Sequence, residues 1–555
     1  MASNVTFDTR TPVDFAIIGS GAAGGIIAKE LSTAGFDVVL FEQGPYRKAG
    51  DFTHDELAVL YRYELEAGGA RPSGQTFRSH ARETAMTPNG RMAVEYAQTV
   101  GGSSTHFTAN FWRFRELDFR ERSLLGPISG TNFADWPITY DELEPYYTKV
   151  DWEIGVSGEP GPFDAPRSKP FPLPPIPVKS SGVLLERGAK KLGLNAQVEP
   201  HAILSQPFNG RPACINCGYC MWFGCEVNAK SSTLAAMIPL AEASGHCEIR
   251  PESAVFRIET DAKGRASEVL YYDADGNERA QKTRAVVVCG NGAETPRLLL
   301  MSASRQHPDG LANSSGYVGR NLMFNMHAFV NAVFDEPLND YKGVQATRII
   351  HDFYENDEAR GFYGGGGIDG RPLWSATPIL HAELGMPPDV PSWGAAWKDE
   401  FAHNFTRQMS IVGSTTSLAQ DSNNITLDPE SKDIWGRPAI RVTYLDHDDD
   451  LAMAQFMEDR AMELADAAGT VKAWRGGVEP TTWSAHLLGT CRMGDDPAAS
   501  VVDRDHRSHD VPNLFICDGS SFVTSGRGQP TMTIMALAFR AADKIRAAAN
   551  AGDMR

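Results

Sequence analysis

After a polar leader, Phe15-Ala-Ile-Ile18 forms an unbroken apolar run, the pattern of a strand buried on both faces. Helical spacing from Gly24 to Ala34 and a second apolar run from Asp37 to Phe41 complete a βαβ opening. Further along, Cys247 to Thr260, Ala266 to Asp273 and Ala285 to Cys289 read as strands and Thr295 to Ser302 as a helix. Pro530 to Ala549 carries good helix formers at helical spacing. Segments from both ends of the chain are therefore expected to build one sheet. Between 325 and 475 the pattern is looser and richer in aromatics and glycine, as in Gly364-Gly-Gly-Gly367, and that stretch reads as a separate substrate unit. The proline-dense run from Pro160 to Pro177 reads as a stiff connector.

At 555 residues the chain is too long for one compact core. The excess of 70 Asp+Glu over 52 Lys+Arg gives a net charge of −18, which repels phosphate backbones and excludes a nucleic-acid-binding reading. No apolar run approaches the roughly 20 residues a membrane helix needs, and Met1 to Asp14 lacks the features of an export signal. Of the eight cysteines, Cys247, Cys289, Cys491 and Cys517 are scattered and read as small buried residues. His506 and His509, among Asp and Arg, read as part of a solvated turn.

The first strand runs into Gly19-Ser-Gly21-Ala-Ala-Gly24, the dinucleotide-binding pattern. Its glycines close the turn, admit a pyrophosphate to the backbone and let helix pack on strand. Glu42, 18 residues after Gly24 at the end of the second strand, is placed to accept ribose hydroxyls. An acidic residue there disfavours a 2′-phosphate and leaves FAD or NAD.

Three further segments carry a resemblance: Thr99-Val-Gly-Gly-Ser-Ser-Thr-His106, Val286 to Ser302, and His486-Leu-Leu-Gly-Thr-Cys-Arg-Met-Gly494. In this order they resemble signatures of the glucose–methanol–choline (GMC) flavoenzymes. Asp135-Trp-Pro-Ile-Thr-Tyr to Tyr147, Gly210-Arg-Pro and Asn313 to Asn321 look most like the large subunits of bacterial gluconate and FAD-dependent glucose dehydrogenases and of sugar 3-dehydrogenases. Gly101 to Thr108 is similar to a flavin motif of pyranose oxidase.

The resemblance implies a mixed α/β fold: a Rossmann-like FAD-binding domain assembled from discontinuous segments, plus a substrate-binding domain with an antiparallel sheet. The corresponding divisions are 1–160, 236–325 and 476–555 for the FAD domain, 161–235 for the connector and Cys-rich segment, and 326–475 for the substrate domain. His486 matches the family's catalytic histidine, a base that removes the hydroxyl proton as hydride leaves. Gln529 stands where the family usually has His or Asn to orient the substrate oxygen; it keeps an amide but is one methylene longer. Gly101, Gly102, Ser104 and Thr108 fall in the flavin segment, Asp518 where an acidic residue lies near the flavin diphosphate, and Val255 where a backbone contacts adenine. His106 resembles the histidine that holds a covalent flavin in pyranose oxidase. Covalent linkage, non-covalent flavin contact and simple packing are all open for it.

Cys214, Cys217, Cys220 and Cys225 fall within twelve residues, with two gaps of the length seen around iron–sulfur clusters. In the dehydrogenases this chain resembles, such a segment holds a cluster that carries electrons out of the flavin, and four thiols suit [3Fe-4S] or [4Fe-4S]. Zinc and four metal-free thiols are the alternatives. The resemblance thus implies FAD-dependent oxidation of a sugar hydroxyl at C1, C2 or C3, with electrons passing to a cytochrome or dye. It also implies a small accessory subunit, and either periplasmic co-export with that subunit or a cytoplasmic location. An oxygen-using oxidase and a flavin-dependent lyase are the rival readings.

Overall fold

A computed structural model describes residues 5–62, 74–88 and 92–554. The Val13–Ile18 strand lies between two parallel partners, Val38–Phe41 and Glu278–Val288, and Cys247–Arg250 extends the parallel run beyond Val38–Phe41. Leu514–Ile516, from near the C-terminus, pairs in parallel with the end of Glu278–Val288. Ala266–Tyr272 and then Ala254–Thr260 add antiparallel strands to the first half of that same long strand. The central strands are apolar along their whole length because helices cover both faces of a parallel sheet.

Two boundaries differ from expectation for local reasons. The run from Cys247 to Thr260 divides into two strands at Pro251, which has no amide hydrogen for a ladder. The helix expected from Thr295 begins earlier, at Asn291, and accommodates Pro296 internally. The carbonyl that Pro296 leaves without a helical donor, that of Gly292, accepts from Thr490 Oγ1 at 2.7 Å.

The central stretch forms a second sheet of six antiparallel strands. From one edge to the other these are Lys472–Arg475, His327–Val333, Gln408–Thr415, Gly366–Arg371, Arg348–Ile350 and Ala196–Val198. Its covered face packs on the Asp448–Ala468 and Ser180–Leu192 helices through Val330, Ile411, Met453, Met457, Leu184 and Leu185. Asp448–Ala468 was not expected as a helix. Its buried stripe is mostly Met and Ala, with Leu464 and the polar Asp450 and Glu458 among them, so its period is faint, although its start is well marked by the capping box of His447 and Asp450. A third sheet joins Asn424–Lys432, Pro438–Thr443 and Gln75–Arg78. Among the described residues no helix is long and apolar enough to cross a membrane. The four scattered cysteines are buried, as expected.

His506 corrects the reading of a solvated turn: it is fully buried, its Nδ1 donating to the Ile516 carbonyl at 3.0 Å. His201 and His381 are buried too, and burial pushes all three rings down to about 4. In the unfolded chain each would take a proton near pH 6.5. Between about pH 6.5 and 4 the unfolded state therefore binds protons that the native state cannot, so the stability these neutral rings contribute is complete above that window and lost across it. Thermal melting should show Tm falling from pH 6.5 towards 4, and a His381→Leu variant should lose less over that interval than the wild-type chain. Equal losses would mean that His381 protonation does not contribute.

Candidate active site

The dinucleotide turn is built by exclusion. Gly19 has φ +94°, and a Cβ there would lie 2.4 Å from the Cys289 carbonyl oxygen; a Cβ on Gly24 would lie 1.8 Å from that of Gly19. Only glycine lets the strand turn this sharply into the Gly24–Thr33 helix. No side chain caps that helix and no acidic residue occupies its first turn, so the positive end of its dipole faces an anion uncompensated, although the Gly25, Ile26 and Ile27 amides donate to the Gly21 and Ala23 carbonyls. Glu42 is buried beside the turn, accepting from Ser20 Oγ at 2.7 Å, the Ser20 amide at 3.2 Å and the Gly44 amide at 3.0 Å. Burial raises its carboxyl from the ordinary value, against these hydrogen bonds.

The turn opens on a cavity of about 580 Å³. Gly19, Gly21, Glu42, Gly102, Ser104, His106, Thr108, Val255, His486, Asp518 and Gln529 all line it, so residues spread over most of the chain meet at one place. Gly24 and Gly101 are not part of its lining; the Gly101 amide donates to Ser20 Oγ at 2.9 Å and ties the Thr99 to His106 segment to the turn. Asp518 accepts from Thr295 Oγ1 at 2.6 Å and the Asn291 amide at 3.0 Å, at the start of the Asn291–Met301 helix, and burial raises its carboxyl. His106 is buried, and burial, reinforced by Lys230, pushes its ring down to about 3.

At the other part of the cavity His486 meets residues that carry no motif. The His486 backbone is fixed by its amide donating to Ser484 Oγ, whose hydroxyl in turn donates to the Phe324 carbonyl at 2.8 Å. Asn325 Nδ2 donates to the carbonyls of Thr415, at 2.8 Å, and Gly526, at 3.4 Å. Carbonyls only accept, so this orients the amide and leaves Asn325 Oδ1 as an acceptor 3.3 Å from His486 Nδ1. His486 accordingly carries its proton on Nδ1, and Nε2 keeps the lone pair. Burial first, then the charge of Arg371, pushes His486 down to about 4. His327 stands edge-on with its ring 5.4 Å from that of His486 and is pushed down to about 3 by burial, His486 and Arg371.

Gln529 follows a loop anchored from beneath. Arg527 is fully buried and bonds Asp118 at 2.7 Å and Glu121, while Tyr354 donates to Asp118 at 2.6 Å and Tyr363 to Glu121 at 2.8 Å. Neither this network nor Asn325, His327 and Arg371 was singled out from sequence. They lie at strand ends and in loops without local signals.

The cysteine loop adjoins the cavity: Met221 and Trp222 form part of its wall, and the Trp222 amide donates to the His106 carbonyl at 2.8 Å. Cys214 and Cys217 are half-buried and Cys220 is buried; burial raises all three thiols, and neighbouring cysteines add to the shift. Lys230 Nζ sits beneath, donating to the carbonyls of Cys220, Phe223 and Phe107. Among the described residues, however, no three His, Cys, Asp or Glu side chains converge as a metal-ligand set.

Comparison with known proteins places these features in a family. The N-terminal model of GMC oxidoreductases matches residues 14–327 and the C-terminal model residues 419–538. The 2-methyl-1,2-propanediol dehydrogenase of Mycolicibacterium austroafricanum is 35% identical over 96% of this chain and 95% of its own. The fructose dehydrogenase large subunit of Gluconobacter japonicus is 30% identical over 96% of this chain and 97% of its own. The gluconate 2-dehydrogenase flavoprotein of Pantoea cypripedii is 29% identical over 96% of this chain and 93% of its own.

Proposed function

This chain belongs to the GMC oxidoreductase family, an FAD-dependent enzyme acting on CH–OH donors, and from that premise we propose that it oxidises one hydroxyl of a sugar or sugar derivative to a carbonyl. The observation that carries the proposal is the shared cavity, lined both by the dinucleotide turn and by His486, whose Nδ1 lies 3.3 Å from Asn325 Oδ1. The site fits the cofactor: a turn that excludes a Cβ at Gly19 and Gly24, a helix start without a side-chain cap, a buried carboxyl group at Glu42 and room for a large ligand. FAD, when bound, supplies the acceptor for the hydride. His486 Nε2 takes the hydroxyl proton, and Asn325 holds the imidazole in the tautomer that can do so. Gln529 orients the substrate oxygen through its amide. With FAD bound, Glu42 would receive the ribose hydroxyls, and Asp518 and Val255 would help to hold the diphosphate end and the adenine end respectively.

The test is an anaerobic spectrum of the purified protein before and after addition of aldoses, glycosides, sugar acids and plain alcohols. Bleaching of the flavin by one class is the expected result. No bleaching by any of them would sink hydroxyl oxidation and favour the lyase. Peroxide formed in stoichiometric yield under air would identify an oxidase rather than a dehydrogenase. Flavin that stays with acid-precipitated protein, and is released from it in a His106→Ala variant, would establish the covalent bond through His106.

The finer proposal for the cysteine loop is a [3Fe-4S] or [4Fe-4S] cluster relaying electrons to a cytochrome or dye. Its support is the spacing and the position of the loop on the cavity wall. Because the described side chains do not converge on a metal, no step is derived through a cluster. Iron and acid-labile sulfide analysis tests the proposal, and their absence would leave the electron acceptor to approach the flavin directly. A small accessory subunit is supported by the relative named as a large subunit, and co-purification from the source cell would separate periplasmic co-export from a cytoplasmic enzyme.

A further inference from the structure

Among the described residues that line the cavity, Arg371 is the only Arg or Lys. It ends the Gly366–Arg371 strand, all of whose residues are buried, and lies outside both stretches that match the family models. Its Nε bonds Asp369 Oδ1 at 2.5 Å and its Nη2 bonds Asp369 Oδ2, a two-point pair between residues two apart on one strand, hence on the same face. That pairing fixes the plane of the guanidinium. It leaves Nη1 without an acceptor among the described residues, on a side chain that borders the cavity.

The neighbouring charges decide what such a donor can bind. Asp369 is fully buried and pairs with Arg371, so the two together carry no net formal charge. Glu199, the other carboxyl in the group, is buried with neither oxygen hydrogen-bonded among the described residues; burial and then Asp369 push it well above its ordinary value, so it adds no positive charge to the pair. The unit therefore offers N–H bonds with no net positive charge. A carboxylate arriving at Nη1 would be the second anion on one buried guanidinium and would be repelled by Asp369. A hydroxyl oxygen accepts the same hydrogen bond without that repulsion.

We propose that Arg371 is the specificity-determining residue of this site, donating from Nη1 to a second hydroxyl of the substrate while the reacting hydroxyl faces His486. The substrates are then neutral polyols or sugars with at least two hydroxyls, in preference to the corresponding acids. This rests on the hydroxyl-oxidation reading and narrows it. The influence of Arg371 on both His486 and His327 is consistent with its being close to the reacting end.

The test uses the flavin-loaded enzyme with a dye acceptor and matched substrates: glucose against gluconate, and 1,2-propanediol against lactate and 1-propanol. The wild-type enzyme should favour glucose and the diol. Arg371→Met should raise KM for the diol by about 10- to 100-fold, the loss of one hydrogen bond to a charged donor, with kcat and 1-propanol turnover changed far less. Asp369→Asn leaves the guanidinium uncompensated and should move the gluconate-to-glucose ratio of kcat/KM at least about 10-fold towards the acid. Should Arg371→Met be unstable because it strands Asp369, the Asp369→Asn/Arg371→Met double variant removes both charges and should show the same loss of diol selectivity. Equal losses for diol and mono-alcohol, or a wild-type preference for the acids, would overturn the proposal. If no hydroxyl compound reduces the flavin, the activity reading fails instead. Calorimetric binding of glucose and gluconate to wild type and Arg371→Met then judges Arg371 alone: glucose binding that depends on Arg371 supports it, and indifference to the substitution rejects it.

Discussion

Replacing His486 with alanine should lower kcat by about 10²- to 10⁴-fold, the range for removing a positioned general base, while FAD content and Tm stay close to the wild-type values. The ring is half-buried at the cavity wall and its backbone is held by Ser484, so truncation removes the base without loosening the segment. Asn325→Leu should cost less, on the order of 10-fold, because it frees the tautomer but keeps the ring. The pH profile separates the two effects. With its ring pushed down to about 4, His486 is neutral and able to accept a proton at every pH above that value; kcat/KM should fall only as pH drops through about 4. An acidic limb near 6.5 instead would mean that the base lies in a more solvated place. Turnover unchanged in the alanine variant would remove His486 from the mechanism altogether.

The nucleotide half of the molecule was readable because its information is local. Gly19, Gly21, Gly24 and Glu42 sit within one βαβ unit, where strand, turn and helix are neighbours in the chain and in space. His486 and Asp518 were reached through matched motifs, and they line the same cavity as that turn. The substrate end was opaque for a physical reason. Asn325, His327 and Arg371 come together only when Gly366–Arg371 and His327–Val333 pair on either side of Gln408–Thr415, and a strand pattern does not disclose which ends will coincide. Asp369 illustrates the same point: it lies in the loosely patterned, glycine-rich stretch, yet it belongs to an interior strand where it pairs with Arg371. His506 was misjudged because its charged neighbours in sequence face elsewhere, with Arg540 taking Asp505 at 2.9 Å and leaving the imidazole inside. The cysteine run is the opposite case, a local signal of the right spacing whose side chains do not close into a ligand set among the described residues.

Arg527→Met should destabilise the protein more than it changes any single contact in the cavity. The guanidinium is completely buried and serves two buried carboxylates, Asp118 and Glu121, with Tyr354 and Tyr363 rings 5.4 and 6.0 Å from it. Removing the cation leaves two acids facing each other out of water, a change worth about 3–5 kcal/mol, and Tm should fall on the order of 5–10 °C. Burial already pushes Glu121 up to about 7 with Arg527 in place, so without it the carboxyl takes a proton more readily and the variant should recover part of its stability as pH is lowered from 8 to 6. Activity should fall as well, because Gly526 and Gly528 flank Arg527 in the loop that leads to Gln529, and the Gly526 carbonyl is one of the two acceptors orienting Asn325. The sharper test is the triple variant Asp118→Asn, Glu121→Gln, Arg527→Met. If the cost comes from stranded charge, the triple variant melts above the single one although it has lost more hydrogen-bonding groups. If it melts lower still, the arginine acts through packing, and the network is a filler of volume rather than an electrostatic anchor for the loop.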